Sequence, residues 1–395
     1  MNQEEINHRH KRVDKIRSAL IRPSSQSEMV MCPILPTDLI INILLRLPVK
    51  ALGKFKCVSK HWLNIIEDPF FLSTHRALSI ENPNLLLLKK TPLCETNKTH
   101  MKKSTKVDVC SMGSNGSHIL DFTLYIDDEG VELLPSKWDI ICFAAENGFY
   151  VCNPSTQELF KLPEASCCTS GDVNAGLGYI KETNEYVLVH LFDRSIDLHV
   201  DYEIGCEVMR FSDGCSVKDC SWKEIDANCP FVLRGWGILV ENVFYWMIWE
   251  EYCHAEDEAI VAFDIGKEEF RTVTPPEGIL DPNGVWFLVE LGSRLCLVDT
   301  VTRPFTMEIW VLKDYENHVW AKEYCIDLNG FSIDLLKFIV PLDHRDGEIL
   351  MDVKQESLDY YDVENKCFKR RDSLLPGDWT WFRLYNDCFF SLGSP

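Results

Sequence analysis

A chain of 395 residues, 46% apolar and 26% charged, has the composition of a soluble globular protein with room for one small and one large domain. Its formal charge of −21 is uneven: residues 1–31 hold six basic and four acidic side chains and residues 32–100 nine and five, which leaves −27 on residues 101–395. That field argues against a nucleic-acid partner, whose phosphates need Lys and Arg, and favours neutral or basic proteins. No apolar run reaches the roughly 18 residues of a membrane helix.

Residues 1–31 are polar and read as a flexible N-terminal extension. His8 to Arg12 is a basic cluster with two readings, a nuclear-import patch or a solvated tail. The first residues hold no apolar signal-peptide core, so the seventeen cysteines are expected to be reduced and mostly buried, in a cytosolic or nuclear protein.

Residues 32–75 read as three short helices. Pro36 and Thr37-Asp38 form a start signal with an oxygen available to cap the first turn. Pro48 ends the first helix and opens the second, and Ser59 is placed to cap the third. With Leu39 at zero and about 100° per residue, the apolar side chains of Leu39, Ile40, Ile41, Ile43, Leu44, Leu45 and Leu47 cover an arc of roughly 240°. A surface helix needs a stripe of about 100°. The surplus predicts a partner, with Leu44 on the side that three helices cover least.

The run LPxDLxxxILxRLPVKxLxxFKCVSKxW, from Leu35 to Ile66, resembles the F-box. The resemblance implies docking on the Skp-type adaptor of a cullin-based ubiquitin ligase. Carried over position by position, the adaptor-binding residues are Leu35, Pro36, Leu39, Ile43, Leu44, Leu47, Pro48, Leu52, Val58 and Trp62.

Residues 76–117 read as a linker, a first buried strand at 84–90 and a polar loop over 91–117. From residue 118 the spacing changes to short strands bounded by turn residues, such as HILDFTLY, GFYVCNP, EYVLVHLF, NVFYWMIW and GEILMDV. A strand, polar turn and closing strand recur after Cys152, Phe211, Phe263, Val311 and Tyr361, in steps of 59, 52, 48 and 50. A period near 50 predicts a large all-β domain over 118–395, a kelch-like β-propeller of about six blades that takes in 84–90. A β-sandwich of regularly spaced hairpins is the alternative, since no diglycine occurs.

NPSTQELFKLP, GLGYIKETNEYVLV and MEIWVLKDYENHVWAKEYCI resemble the F-box-associated domain of many plant F-box proteins, the group that includes the S-locus F-box and S-locus-like proteins. The resemblance implies a multidomain, non-catalytic substrate receptor that holds a target protein for ubiquitination, and the acidic charge favours a basic one. A propeller enzyme and a ligase-independent scaffold are the alternatives.

No phosphate loop, nucleophile elbow or His-Glu-x-x-His pattern appears, and no cofactor or metal is expected. Cys206, Cys215, Cys220 and Cys229 lie nine, five and nine residues apart, unlike the close pairs of zinc sites. Glu256-Asp257-Glu258, near Glu250-Glu251, reads as a solvated loop before a cation site. The eleven tryptophans are expected mostly in the core.

Overall fold

The computed structural model describes residues 35–97, 100–113, 118–136, 139–166, 174–194, 203–249, 260–277, 286–300, 303, 305–354, 357–370 and 379–392. The N-terminal extension with its basic cluster and the 250–258 acidic residues lie outside them. The chain divides into a helical unit, which includes residues 386–389, and a β unit that starts at Pro83.

The helical unit has four described helices rather than three: α1 (Thr37–Leu44), α2 (Val49–Phe55), α3 (Lys60–Ile66) and α4 (Pro69–Glu81). Ser59 caps α3 as expected, accepting from the Trp62 amide at 3.1 Å. No side chain caps α1, because Thr37 already lies inside the helix and Pro36 holds the cap position. The fourth helix replaces part of the predicted linker. Asp68 Oδ1 accepts from the Phe70 and Phe71 amides at 2.9 and 3.2 Å, and Pro69 occupies the first turn, where its missing N–H costs nothing. A start signal had the look of a stop, since Asp-Pro serves either end of a helix.

The β unit consists of six antiparallel four-stranded sheets. The first takes β1 (Asn84–Asn97), β2 (His100–Met112) and β3 (His118–Ile126); the second takes β4 (Glu132–Leu133), β5 (Ile141–Ala145), β6 (Gly148–Asn153) and β7 (Glu158–Lys161). The third holds β8 (Asn174–Ile180), β9 (Glu185–Asp193), β10 (Ile204–Phe211) and β11 (Trp222–Cys229); the fourth holds β12 (Leu233–Val240), β13 (Val243–Ile248), β14 (Ile260–Asp264) and β15 (Glu269–Val273). The fifth is β16 (Trp286–Leu291), β17 (Arg294–Asp299), β18 (Thr306–Asp314) and β19 (Val319–Asp327); the sixth is β20 (Ile339–Arg345), β21 (Glu348–Val353), β22 (Ser357–Asp362) and β23 (Cys367–Arg370). The last strand, β24 (Trp381–Tyr385), returns to the first sheet and pairs with β1, Asn84 opposite Tyr385 and Leu88 opposite Trp381. This closure makes a six-bladed β-propeller and removes the sandwich alternative. Residues of β8, β12, β16, β20 and β24, with Pro135 and Ser136 just after β4, surround one axial cavity of about 200 Å³.

The polar loop predicted over 91–117 is largely the β1–β2 hairpin, in register from Leu85↔Met112 to Asn97↔His100. Val107 and Val109 face the core while Lys106 and Asp108 alternate outward. Lysines on the solvent side of a half-buried strand look like loop composition unless the period of two is followed.

The repeat has a local cause. Asn153, Asp264, Asp314 and Asp362 each open a turn whose amides they bind: Ser155 N at 2.8 Å, Gly266 N at 2.9 Å, Glu316 N at 3.0 Å and Asn365 N at 2.8 Å. Four residues on, Gln157, Glu268, His318 and Lys366 take φ of 65°, 55°, 52° and 53°, the left-handed residue that closes the hairpin. By this marker the equivalent of Tyr361 in the fifth blade is Lys313, two residues after the expected Val311. The third blade has no such turn after Phe211; a 3-10 turn at Val217–Asp219 stands in its place, inside the step of 52 from Phe211 to Phe263. The GLGY run also finds its reason here. A Cβ on Gly178 would meet Leu239 at 2.1 Å, so the glycines let β8 and β12 approach.

Candidate functional site

The apolar arc of α1 is divided between a core and a surface. Ile40, Ile41, Leu44 and Leu45 pack with Leu52, Ile65, Ile66 and Phe71, and Phe389 adds to the same cluster. On the other side Leu35, Leu39 and Ile43 are 52%, 49% and 50% exposed, and Val58, after α2, is 58% exposed. Leu39 and Ile43 stand four residues apart on one face of α1, with Leu35 just before its start. Burying a side chain of this kind fully stabilises by roughly 1.5 to 3 kcal/mol. About half of that is unrealised at each of the four positions.

Of the ten predicted docking residues, Leu35, Pro36, Leu39, Ile43 and Val58 are exposed and Leu47, Pro48 and Trp62 half-buried. Trp62 meets Phe55 edge-on at 5.3 Å, which fixes its ring. Leu44 and Leu52 are corrected: both are fully buried in the unit's own core and present nothing to a partner. The wheel gave the width of the arc but not its centre. The fourth helix, absent from the sequence reading, contributes Phe71 to the cluster that encloses Leu44.

Two residues that the sequence did not single out hold the corner between α1 and α2. His75 Nε2 donates to the Leu47 carbonyl at 2.8 Å, and Asp387 Oδ2 accepts from the Val49 amide at 2.8 Å. Asp387 supplies the cap that Pro48, with no side-chain oxygen, cannot give α2. No pattern of spacing links positions 338 residues apart.

In the β unit the expected reading of the cysteines stands for Cys206, Cys220 and Cys229, which are buried, with Cys215 half-buried. Burial pushes the Cys220 and Cys229 thiols up to about 12, so neither is a thiolate nucleophile near neutral pH. Trp246, Trp286 and Trp381 are core residues, while Trp249 is exposed.

Residues 33–74 match the family model of the F-box domain, and residues 94–378 match that of the F-box associated beta propeller domain. The F-box protein CPR1 of Arabidopsis thaliana is 26% identical over 360 residues, covering 84% of this chain and 83% of the relative. An F-box/kelch-repeat protein of the same plant is 24% identical over 397 residues, covering 89% and 87%. Among solved structures, a Synechocystis apocarotenoid oxygenase variant aligns with 11% identity over 60% of this chain and 58% of that one, at a TM-score of 0.34. A likeness at that level carries no argument about activity.

Proposed function

The chain belongs to the F-box proteins that carry an F-box-associated β-propeller, and from that premise we propose that it is the substrate-recognition subunit of a ubiquitin ligase of the Skp adaptor–cullin–F-box type. Its own contribution is binding, not chemistry. The helical unit docks on the Skp-type adaptor, and through it a cullin, while the propeller holds a target protein. Joining the two raises the target's effective concentration near the ubiquitin-loaded enzyme, which needs no catalytic group on this chain.

The observation that carries the reading is the apolar surface of Leu35, Leu39, Ile43 and Val58 beside a core that is already filled. Several large apolar side chains left half-exposed on so small a unit mark an interface. Pro36 is exposed and Leu47, Pro48 and Trp62 are half-buried, which leaves them available to the same partner. The test is adaptor pull-down with Ile43→Arg, which would have to bury an unpaired charge, against Asn64→Arg, exposed elsewhere on α3. Capture is expected to be lost with the first and retained with the second. Equal capture by both would refute the docking surface. The acidic β region, with most of the −27, supports a basic target, and the reading places the chain in the cytosol or nucleus.

A further inference from the structure

The axial cavity is mainly apolar, with Leu177 on β8, Leu239 on β12, Val289 on β16 and Leu342 on β20 among its walls. One cation enters this lining, Arg383, at the middle of the closing strand β24. Its guanidinium donates to two backbone carbonyls, Phe382 O at 2.8 Å and Leu133 O at 3.4 Å, and its Nε is buried with no partner. Among the described residues no carboxylate forms an ion pair with it; Asp352 acts on it only as a charge at longer range. Burial pulls this arginine down to about 10, the mark of a cation in an environment that solvates it poorly. Glu290, the acid of the lining, has its Oε1 engaged by the Ser293 amide.

A cation that lines an apolar cavity with no carboxylate beside it is a site for an anion, because a carboxylate matches the planar guanidinium and low dielectric strengthens the pair. The size of the occupant follows from the volume. A cavity of about 150 Å³ holds benzene, and drug-sized pockets begin near 300 Å³, so about 200 Å³ takes a ring with a short acidic arm or a branched acid of that size. The apolar walls cannot solvate a second negative charge, which selects against a dianion such as phosphate. The cation stands at mid-strand, away from the loops that would meet a macromolecule first, which favours a free small acid over a side chain of a bound protein.

We propose that the axial cavity of the propeller is a binding site for a small apolar monocarboxylic acid, its carboxylate held by Arg383 and its hydrocarbon part by the leucine and valine walls. The site is independent of adaptor docking, so either stands if the other fails. Titration calorimetry on the full chain tests it with phenylacetate, the uncharged phenylacetamide, inorganic phosphate and a short Glu-containing peptide as probes. Phenylacetate is expected to bind roughly tenfold or more tightly than the amide, the scale of one charge-assisted contact, and phosphate not at all. Arg383→Met, close in volume, should abolish the preference for the acid, and Leu177→Phe, which narrows the cavity but keeps the cation, should weaken both ring compounds. The comparison of acid with amide on the unaltered chain decides the matter even if a variant does not fold. Equal binding of acid and amide, no binding of phenylacetate at millimolar concentration, or binding of the peptide alone would overturn the proposal, the last by making the cavity a socket for a target's acidic side chain.

Discussion

Asp387 accepts a hydrogen bond from the Val49 amide at 2.8 Å, so a carboxylate near the end of the chain caps the second helix of its N-terminal helical unit. The charge also sits at the positive end of the helix. Asp387→Ala is therefore expected to cost about 0.5 to 2 kcal/mol, the usual range for losing a cap. Hydrogen exchange should speed at the amides of residues 49–55 and leave the propeller strands unchanged. Unchanged protection of those amides would mean that the contact contributes nothing.

Leu44 and Leu39 make a contrasting pair on one helix. Leu44→Ala opens a cavity in the helical core and should destabilise that unit by about 2 to 5 kcal/mol. Leu39→Ala, half-exposed already, should change stability by less than about 1 kcal/mol and weaken adaptor binding instead. Thermal unfolding followed with quantitative pull-down separates the two. A Leu39→Ala protein as unstable as Leu44→Ala would place Leu39 in the core.

The same two residues show what was legible. Seven apolar side chains on one expected helix, five of them within the observed Thr37–Leu44, announced more burial than a small unit provides, and the structure leaves Leu39 and Ile43 half-exposed. Which part of the arc is surplus depends on helices and tail segments that pack against it, and helical periodicity is silent on that. In the propeller the repeat was legible because four of the six blades restate the same local turn chemistry, at Asn153, Asp264, Asp314 and Asp362. Closure was not, because β24 pairs with a strand from the other end of the β unit, and Arg383 gains its meaning only from the five other blades around it.

Those turns also predict the response to acid. Asp362 Oδ1 accepts from the Asn365 amide and Oδ2 from Asn365 Nδ2 and Lys369 Nζ, which holds its carboxyl far below the ordinary aspartate range. A depressed native value means that the stabilisation is complete above the unfolded value of about 3.9 and is lost as pH falls through and below it. The melting temperature of the wild type should drop steadily below about pH 4. Asp362→Asn, which cannot titrate, should start lower at neutral pH and show a shallower acid limb. Parallel curves for the two proteins would assign the acid sensitivity elsewhere, with Asp314, depressed by the same kind of turn, the next candidate.

If the −27 carried by residues 101–395 steers a basic target, association should slow as salt rises, since a Debye length of about 10 Å at 0.1 M screens long-range attraction. Stopped-flow association with any co-purifying target, from low to high salt, reads this directly. A rate indifferent to salt would shift attention to apolar surface such as the exposed Trp249.

Closure of the ring is the feature on which the β unit depends most. Trp381, Phe382, Leu384 and Tyr385 are all buried, and Tyr385 also shares a buried hydrogen bond of 2.8 Å with Ser111 Oγ on β2. Removing residues 379–395 would strip β1 of its partner along Asn84 to Leu88 and leave an open edge where neighbouring copies could pair. The truncated chain is expected to aggregate or to fall to limited trypsin digestion, because the first blade loses its inner strand and the ring can open there. Tyr385→Phe tests the same strand gently: the strand and its ring packing remain, while Ser111 loses its phenol partner, at a cost of about 1 to 3 kcal/mol. A truncated protein as protease-resistant as the intact one would show that β24 decorates the first blade and does not close the propeller.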